Sequence, residues 1–294
     1  MKISGFSYVR NGFEYGYPFL EAIKSILPIC DEFVIAVGES TDGTREAIEK
    51  LDPEKIKIVD TVWDMRFRGE GKVFAQQANI ALDNVTGDWA FHIQADEVIH
   101  ENDLPKIVAA IKQYNDNSKV EGFILPFFHF WGSYNYVRTS RRVHKHEVRI
   151  FRTNKLVRSY ADSQGFRRYS SLNTYEDGEK GEKLNVKKIN APVFHYNGVR
   201  PDKIQKRKMH TFDFLHNAQS AEEAYEQFDY NNIDRVEEFK GSHPAVMKEK
   251  VDSQDWQFTF DPKKSVWRTK DKIMQPIEDL LGFKIGEYKN YKLI

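Results

Sequence analysis

Two adjacent carboxylates, Asp96 and Glu97, stand where a buried strand should end. Residues 88–94 alternate well enough to form that strand, and they run straight into Gln94-Ala95-Asp96-Glu97. In an open α/β sheet the carboxyl ends of the strands form the ligand crevice, so acids there can meet a substrate or a hard cation. The plainer alternative is a polar strand end, with Glu97 favouring the start of the next helix. His195 closes a later apolar strand, 191–197. Two further carboxylate positions, Asp162 and the pair Glu176-Asp177, could take a proton from a hydroxyl. Between Arg138 and Arg158 there are eight Lys or Arg and one acid, Glu147, a local basic patch suited to phosphate or to a solvated charged face. His144 and His146 lie two apart on one strand, but without cysteine or a third nearby histidine they do not make a zinc site. Phe127, Phe128, Phe130, Trp131, Tyr134 and Tyr136 crowd one stretch, as rings for stacking on a sugar or a lipid carrier, or as a core strand with an apolar flap.

The elements that must position these residues read as repeated β-α units. Residues 3–9 form a first strand, and a helix opening at Pro18 follows with Phe19, Leu20, Ile23, Ile26 and Leu27 on one face. Residues 32–37 are nearly all apolar, as expected of a central strand covered on both sides. Ala47, Ile48 and Leu51 mark a second helix, residues 56–59 a third strand, and residues 72–82 a third helix. After the acidic turn, Asn102 or Asp103 caps a helix carrying Leu104, Ile107, Val108 and Ile111 on one face. This pattern predicts a mainly parallel sheet with helices on both faces. A strand over 121–128 follows.

Composition narrows the class. The 294 residues hold 44 Lys and Arg against 44 Asp and Glu, so no global field draws the chain to nucleic acid. Cys30 is the only cysteine, which excludes an internal disulfide and fits a reducing, cytoplasmic setting. The first ten residues lack the apolar core of a signal peptide. The longest uncharged run, 122–137, is too short and too polar to span a bilayer, so no transmembrane segment is expected.

The turn Val34-Ile35-Ala36-Val37-Gly38-Glu39-Ser40-Thr41-Asp42-Gly43-Thr44 resembles the "VVDDGSTDGT" turn of family 2 glycosyltransferases. Gln94-Ala95-Asp96-Glu97 resembles their "DADD" motif, and the order and separation of the two also match. The resemblance covers about residues 1–200 and implies a GT-A fold, Rossmann-like, with residues 201–294 as a mainly helical C-terminal extension. It implies transfer of a sugar from a nucleotide-sugar donor to a glycan, lipid-linked or other hydroxyl acceptor, with inversion. Nucleotide contacts would come from Val9, Asn11, Glu39, Asp42, Gln77, Gln94 and Ala95, and Mn2+ or Mg2+ would sit on Asp96, Glu97 and His195. The catalytic base would be Asp162, or Asp177 in its charged turn.

The chain departs from the family pattern in two places. The first acid of the usual motif is Gln94, able only to hydrogen-bond a ribose hydroxyl, and no QxxRW sequence occurs. Two other readings therefore stay open: a degenerate scaffold that binds a nucleotide sugar or partner without turnover, and a sugar-phosphate nucleotidyltransferase. The missing glycine-rich phosphate loop after the first strand counts against the latter. Beyond residue 200, Ile204, Lys208, Phe212 and Leu215 share a helix face, and residues 218–238 hold seven acids and one base, predicting a solvated acidic helix or helix pair. A lipid-linked acceptor would bring the protein to the inner face of a membrane by peripheral contact. Self-association is compatible with the same extension.

Overall fold

The computed structural model describes residues 1–216 and 225–294. Its first part alternates as the pattern requires. Strands β1 (Ile3–Val9), β2 (Glu32–Gly38), β3 (Ile56–Thr61) and β4 (Trp89–His92) are separated by α1 (Phe19–Ile26), α2 (Thr44–Glu49) and α3 (Lys72–Leu82). β1 pairs parallel with β2 and β4, and β3 pairs parallel with β2. Side chains of β2 divide between two cores: Phe33, Ile35 and Val37 face one, Val34 and Ala36 the other. That two-sided burial is why the strand is apolar throughout rather than alternating. On the first face α1 buries Phe19, Ala22, Ile23 and Ile26, spaced as one helix stripe. Leu104, Ile107 and Ile111 of α4 (Leu104–Tyr114) join the same core.

The later strands extend the sheet and add a second layer. β5 (Glu97–Ile99), β6 (Gly122–Trp131), β7 (Ser133–Arg138) and β8 (His146–Arg152) follow the acidic turn. β8 runs antiparallel between β4 and β6. Next come β9 (Val157–Ser159), β10 (Phe166–Arg168), α5 (Leu172–Glu176), β11 (Glu182–Lys183), β12 (Asn185–Lys188) and β13 (Val193–Gly198). The ten-residue β6 serves two neighbourhoods: Gly122 to Pro126 pair with β8, whereas Phe127 to Trp131 pair with β13. β13 lies between β6 and β5, which sets His195 opposite His129 on one side and Glu97 on the other. α6 (Asp202–Leu215), β14 (Val236–Glu238) and β15 (Lys292–Leu293) complete the framework, β14 pairing with β7 and β15 with β12.

Some local expectations shift. The strand expected over 88–94 ends at His92: Ile93 N–H still reaches the Phe6 carbonyl of β1 at 3.1 Å, and Gln94 to Asp96 then leave the ladder in a turn closed by Glu97 N–H on the Gln94 carbonyl (3.0 Å). Asp103 caps no amide; Lys106 takes its carboxylate instead. Of the acidic stretch 218–238, residues 218–224 lie outside the described residues. The rest is mostly loop ending in β14.

Candidate active site

The carboxyl ends of β1 and β4 and the amino end of β8 open onto one cleft of about 410 Å³, bounded on its far side by α6. Strand direction alone brings Val9, Arg10 and Asn11, then Gln94, Ala95 and Asp96, then Glu147 and Arg149 to this edge. The turn after β4 holds its shape through Tyr196 N–H, which donates to the Asp96 carbonyl at 2.8 Å.

Asp96 and Glu97 point to different places. Glu97 is fully buried, and its two carboxylate oxygens take Arg149 Nη2 at 2.6 Å and Nε at 2.9 Å; Gln94 N–H donates to it as well. Arg149 also lies over the Phe127 ring, 5.0 Å from its centroid. A carboxylate saturated in this way has no free oxygen for a cation in the cleft. Asp96 lines the cleft with Oδ1 3.5 Å from His195 Nε2 and Oδ2 3.3 Å from Lys208 Nζ. Burial would push its pKa up, but Lys208 and His195 outweigh burial and hold the carboxyl well below the usual range. The same burial, with Arg200 nearby, pushes Lys208 down to about 7.

The histidines form a directed chain. The His144 carbonyl can only accept, so His129 Nε2 at 2.8 Å donates to it. Burial pushes the His129 pKa down to about 3, so the ring is neutral and its Nδ1 is an acceptor. His195 Nδ1, 3.0 Å away, must then donate. His195 thereby directs its Nε2 at Asp96 Oδ1, 3.5 Å away, so an imidazole nitrogen and a carboxylate oxygen meet on the cleft floor.

Asp162 sits on the cleft wall, held between Ala161 (φ 52°) and Ser163 (φ 63°), two non-glycine residues in the left-handed region. Such backbone is strained and persists where the surrounding structure enforces it. Gln164 Nε2 donates to Asp162 Oδ1 at 3.3 Å, and His216 Nε2 lies 3.9 Å from Oδ2. Gly71, at φ 67°, gives these two room; a Cβ there would meet His216 Nε2 at 2.6 Å and Asp162 Cβ at 2.9 Å. Glu147 faces the same cleft with Oε2 buried and unpartnered, and burial pushes its pKa up to about 7.

Of the residues the resemblance names, Val9, Asn11, Gln94, Ala95, Asp96, Asp162 and His195 line the cleft. Glu39 is exposed outside it, only its carbonyl engaged, by Arg10 Nε at 3.2 Å. The Asp42 carboxylate is spent on Glu14 N–H, Thr44 N–H and the Thr44 hydroxyl, pinning the turn after β2 to the loop after β1. Gln77 is fully buried, accepting from the Thr61 hydroxyl at 2.6 Å. Asp177 is exposed at the end of α5, away from the cleft.

Residues not singled out for the site from sequence complete it. Arg10 lies over the Trp63 ring, 5.5 Å from its centroid, beside Tyr8 and Phe74. Gly38 makes that possible, since a Cβ would meet Trp63 Nε1 at 2.4 Å. Lys208 carried a signal of its own: a lysine on the helix face shared by Ile204, Phe212 and Leu215 has to have a buried partner.

An open α/β sheet with an acid-floored cleft at the carboxyl edge of its parallel strands places the ligand site where such sheets bind their ligands. The chain belongs to glycosyl transferase family 2, whose model matches residues 17–175, and it is a glycosyltransferase of GT-A fold. No curated protein matches it. Among solved structures it is similar to S. aureus TarS 1-349, at 18% identity over 77% of this chain and 69% of that one, TM-score 0.40. The same TarS fragment with UDP-GlcNAc gives 17%, 77%, 70% and 0.39. Glucosyl-3-phosphoglycerate synthase from Mycobacterium tuberculosis, with Mn2+, UDP and glucosyl-3-phosphoglycerate, gives 13%, 75%, 81% and 0.38. At such distances nothing about donor or acceptor passes from them to this chain.

Proposed function

We propose that the cleft binds a nucleotide-sugar donor and transfers its sugar to an acceptor hydroxyl with inversion, using a divalent cation shared by Asp96 and His195. The observation that carries the reading is the buried Asp96 carboxylate and His195 Nε2 meeting at 3.5 Å on the cleft floor. A carboxylate oxygen and an imidazole nitrogen suit Mn2+ as a half-site, and Mg2+ would use the carboxylate alone. Among the described residues no cluster of three or more His, Cys, Asp or Glu surrounds one ion, so the donor's diphosphate would supply the remaining ligands. When bound, the cation would neutralise charge that builds on the departing diphosphate.

The protein's own residues do the rest. Arg10 and Trp63 wall the nucleoside end, with Asn11 and the Gln94 side chain as polar contacts. Lys208, buried against Asp96, is a second positive group at the diphosphate end. Asp162 takes the acceptor's proton as its oxygen attacks the anomeric carbon; the carbon–oxygen bond to the diphosphate breaks on the opposite face, inverting that centre. The strained backbone around Asp162 supports giving it this task.

Calorimetric titration with UDP-, GDP-, CMP- and dTDP-sugars, each with Mn2+ and with chelator, tests the reading. We expect binding to one nucleotide class that requires the cation, and a loss of at least about 100-fold in turnover for Asp96→Asn in protein shown by circular dichroism to remain folded. Donor binding and turnover that survive both chelation and Asp96→Asn would remove the metal from the mechanism.

A further inference from the structure

The helix Thr269–Leu281 is inside out. Its buried residues are polar: Asp271, Gln275 and Glu278 are 5%, 6% and 4% exposed. They are held by one arginine. Arg141 Nη1 donates to Asp271 at 2.8 Å, its Nε and Nη2 both reach Glu278 at 3.0 Å, and its backbone N–H donates to Gln275 Oε1 at 2.6 Å. Arg235 takes Asp279 in the same way at 2.6 and 3.2 Å. All three acids of the helix are thus neutralised by the body of the protein.

The opposite face is apolar and bare. Ile273, Ile277, Leu280 and Leu281 follow the three-and-four spacing of a single stripe and are 62%, 42%, 88% and 47% exposed; Phe283, just past the helix, is 57% exposed. A contiguous exposed patch of large aliphatic side chains marks a docking surface. Lys270 stands in the same stripe one turn earlier, Lys272 flanks the stripe on its other side, and Arg268 precedes the helix. All three are exposed and make no ion pair among the described residues. The surface therefore presents aliphatic side chains with uncompensated positive charge.

We propose that this face docks on an anionic lipid bilayer surface, with the aliphatic stripe in the interface and Arg268, Lys270 and Lys272 on the headgroups. The charge decides between occupants. A second copy related by a two-fold axis would bring the same cations against themselves, whereas anionic headgroups complement them. No described helix is long and apolar enough to cross the membrane, so the contact is peripheral. The loop carrying Arg141 also carries His144 of the cleft wall, so one short loop joins the docked helix to the cleft.

Co-sedimentation of the full chain with vesicles of phosphatidylcholine plus phosphatidylglycerol, against phosphatidylcholine alone, tests this. Wild type should pellet with the anionic vesicles and be released by high salt. The variant Ile273→Ser/Ile277→Ser/Leu280→Ser changes only exposed side chains, so its melting temperature should not move while its vesicle affinity falls by at least about tenfold. Lys270→Gln/Lys272→Gln should lose about 25-fold, roughly fivefold for each charge. Wild type left in the supernatant, or serine variants that pellet like wild type, overturns the proposal. So does a dimer in sedimentation velocity that the serine substitutions dissociate, which would make a second copy the occupant.

Discussion

Asp96 and Glu97 are joined by one peptide bond and belong to two different regions. Glu97 lies in the packed interior, both oxygens matched by Arg149 in a bidentate pair. Asp96 lies on the floor of the cleft, opposed by a lysine and a histidine nitrogen at longer range, 3.3 and 3.5 Å. The first arrangement is complete, so it can only hold structure. The second is incomplete, which is why the proposed chemistry is assigned to it. The same contrast separates Asp42, saturated by three donors, from Asp162 and Glu147, which face the cleft with little or no partner.

Substitutions that cross this divide can break or sharpen it. The largest stability effect is expected for Glu97→Ala, which strands a fully buried guanidinium. Unfolding in urea should show a loss of about 3–5 kcal/mol, and a loss under 1 kcal/mol would mean Arg149 finds another partner. Glu147→Gln should act through pH. The folded carboxyl titrates near 7 and the unfolded one near 4.5, so the folded state holds a proton that the unfolded state releases between those values. Wild-type stability from this group therefore falls as pH rises from about 4.5 to about 7. Above pH 7 the glutamine variant should be more stable by on the order of 3 kcal/mol, with no difference below pH 4. Thermal melts across pH check it, and parallel curves would show that Glu147 is ionised throughout. Asp162→Asn should lower kcat by about 100-fold or more with little change in melting temperature. The smallest effect belongs to Asp177→Asn, on an exposed helix end, where kcat should change less than about twofold.

The Thr269–Leu281 helix and α1 show where sequence reasoning stops. Both carry an apolar stripe at helical spacing. In α1 that stripe packs on the sheet; in the later helix it faces outward, because Arg141 and Arg235 sit where its acids can reach them. Periodicity reports that two faces differ, and the charge on the surface beneath decides which one is buried.

The sequence by itself determined the β-α order, the parallel strands and the position of Asp96 at a strand's carboxyl end, because these follow from local spacing and from the handedness of crossovers. It also carried the family, whose model matches residues 17–175. Which of two adjacent acids reaches the cleft, which histidine nitrogen faces Asp96, and which lysine opposes that acid were decided only in three dimensions. Glu97 meets Arg149 across 52 residues, His195 meets His129 across 66 and Lys208 meets Asp96 across 112. Contacts at such separations depend on how β13 inserts between β5 and β6 and on where α6 closes the cleft, and no local pattern encodes either.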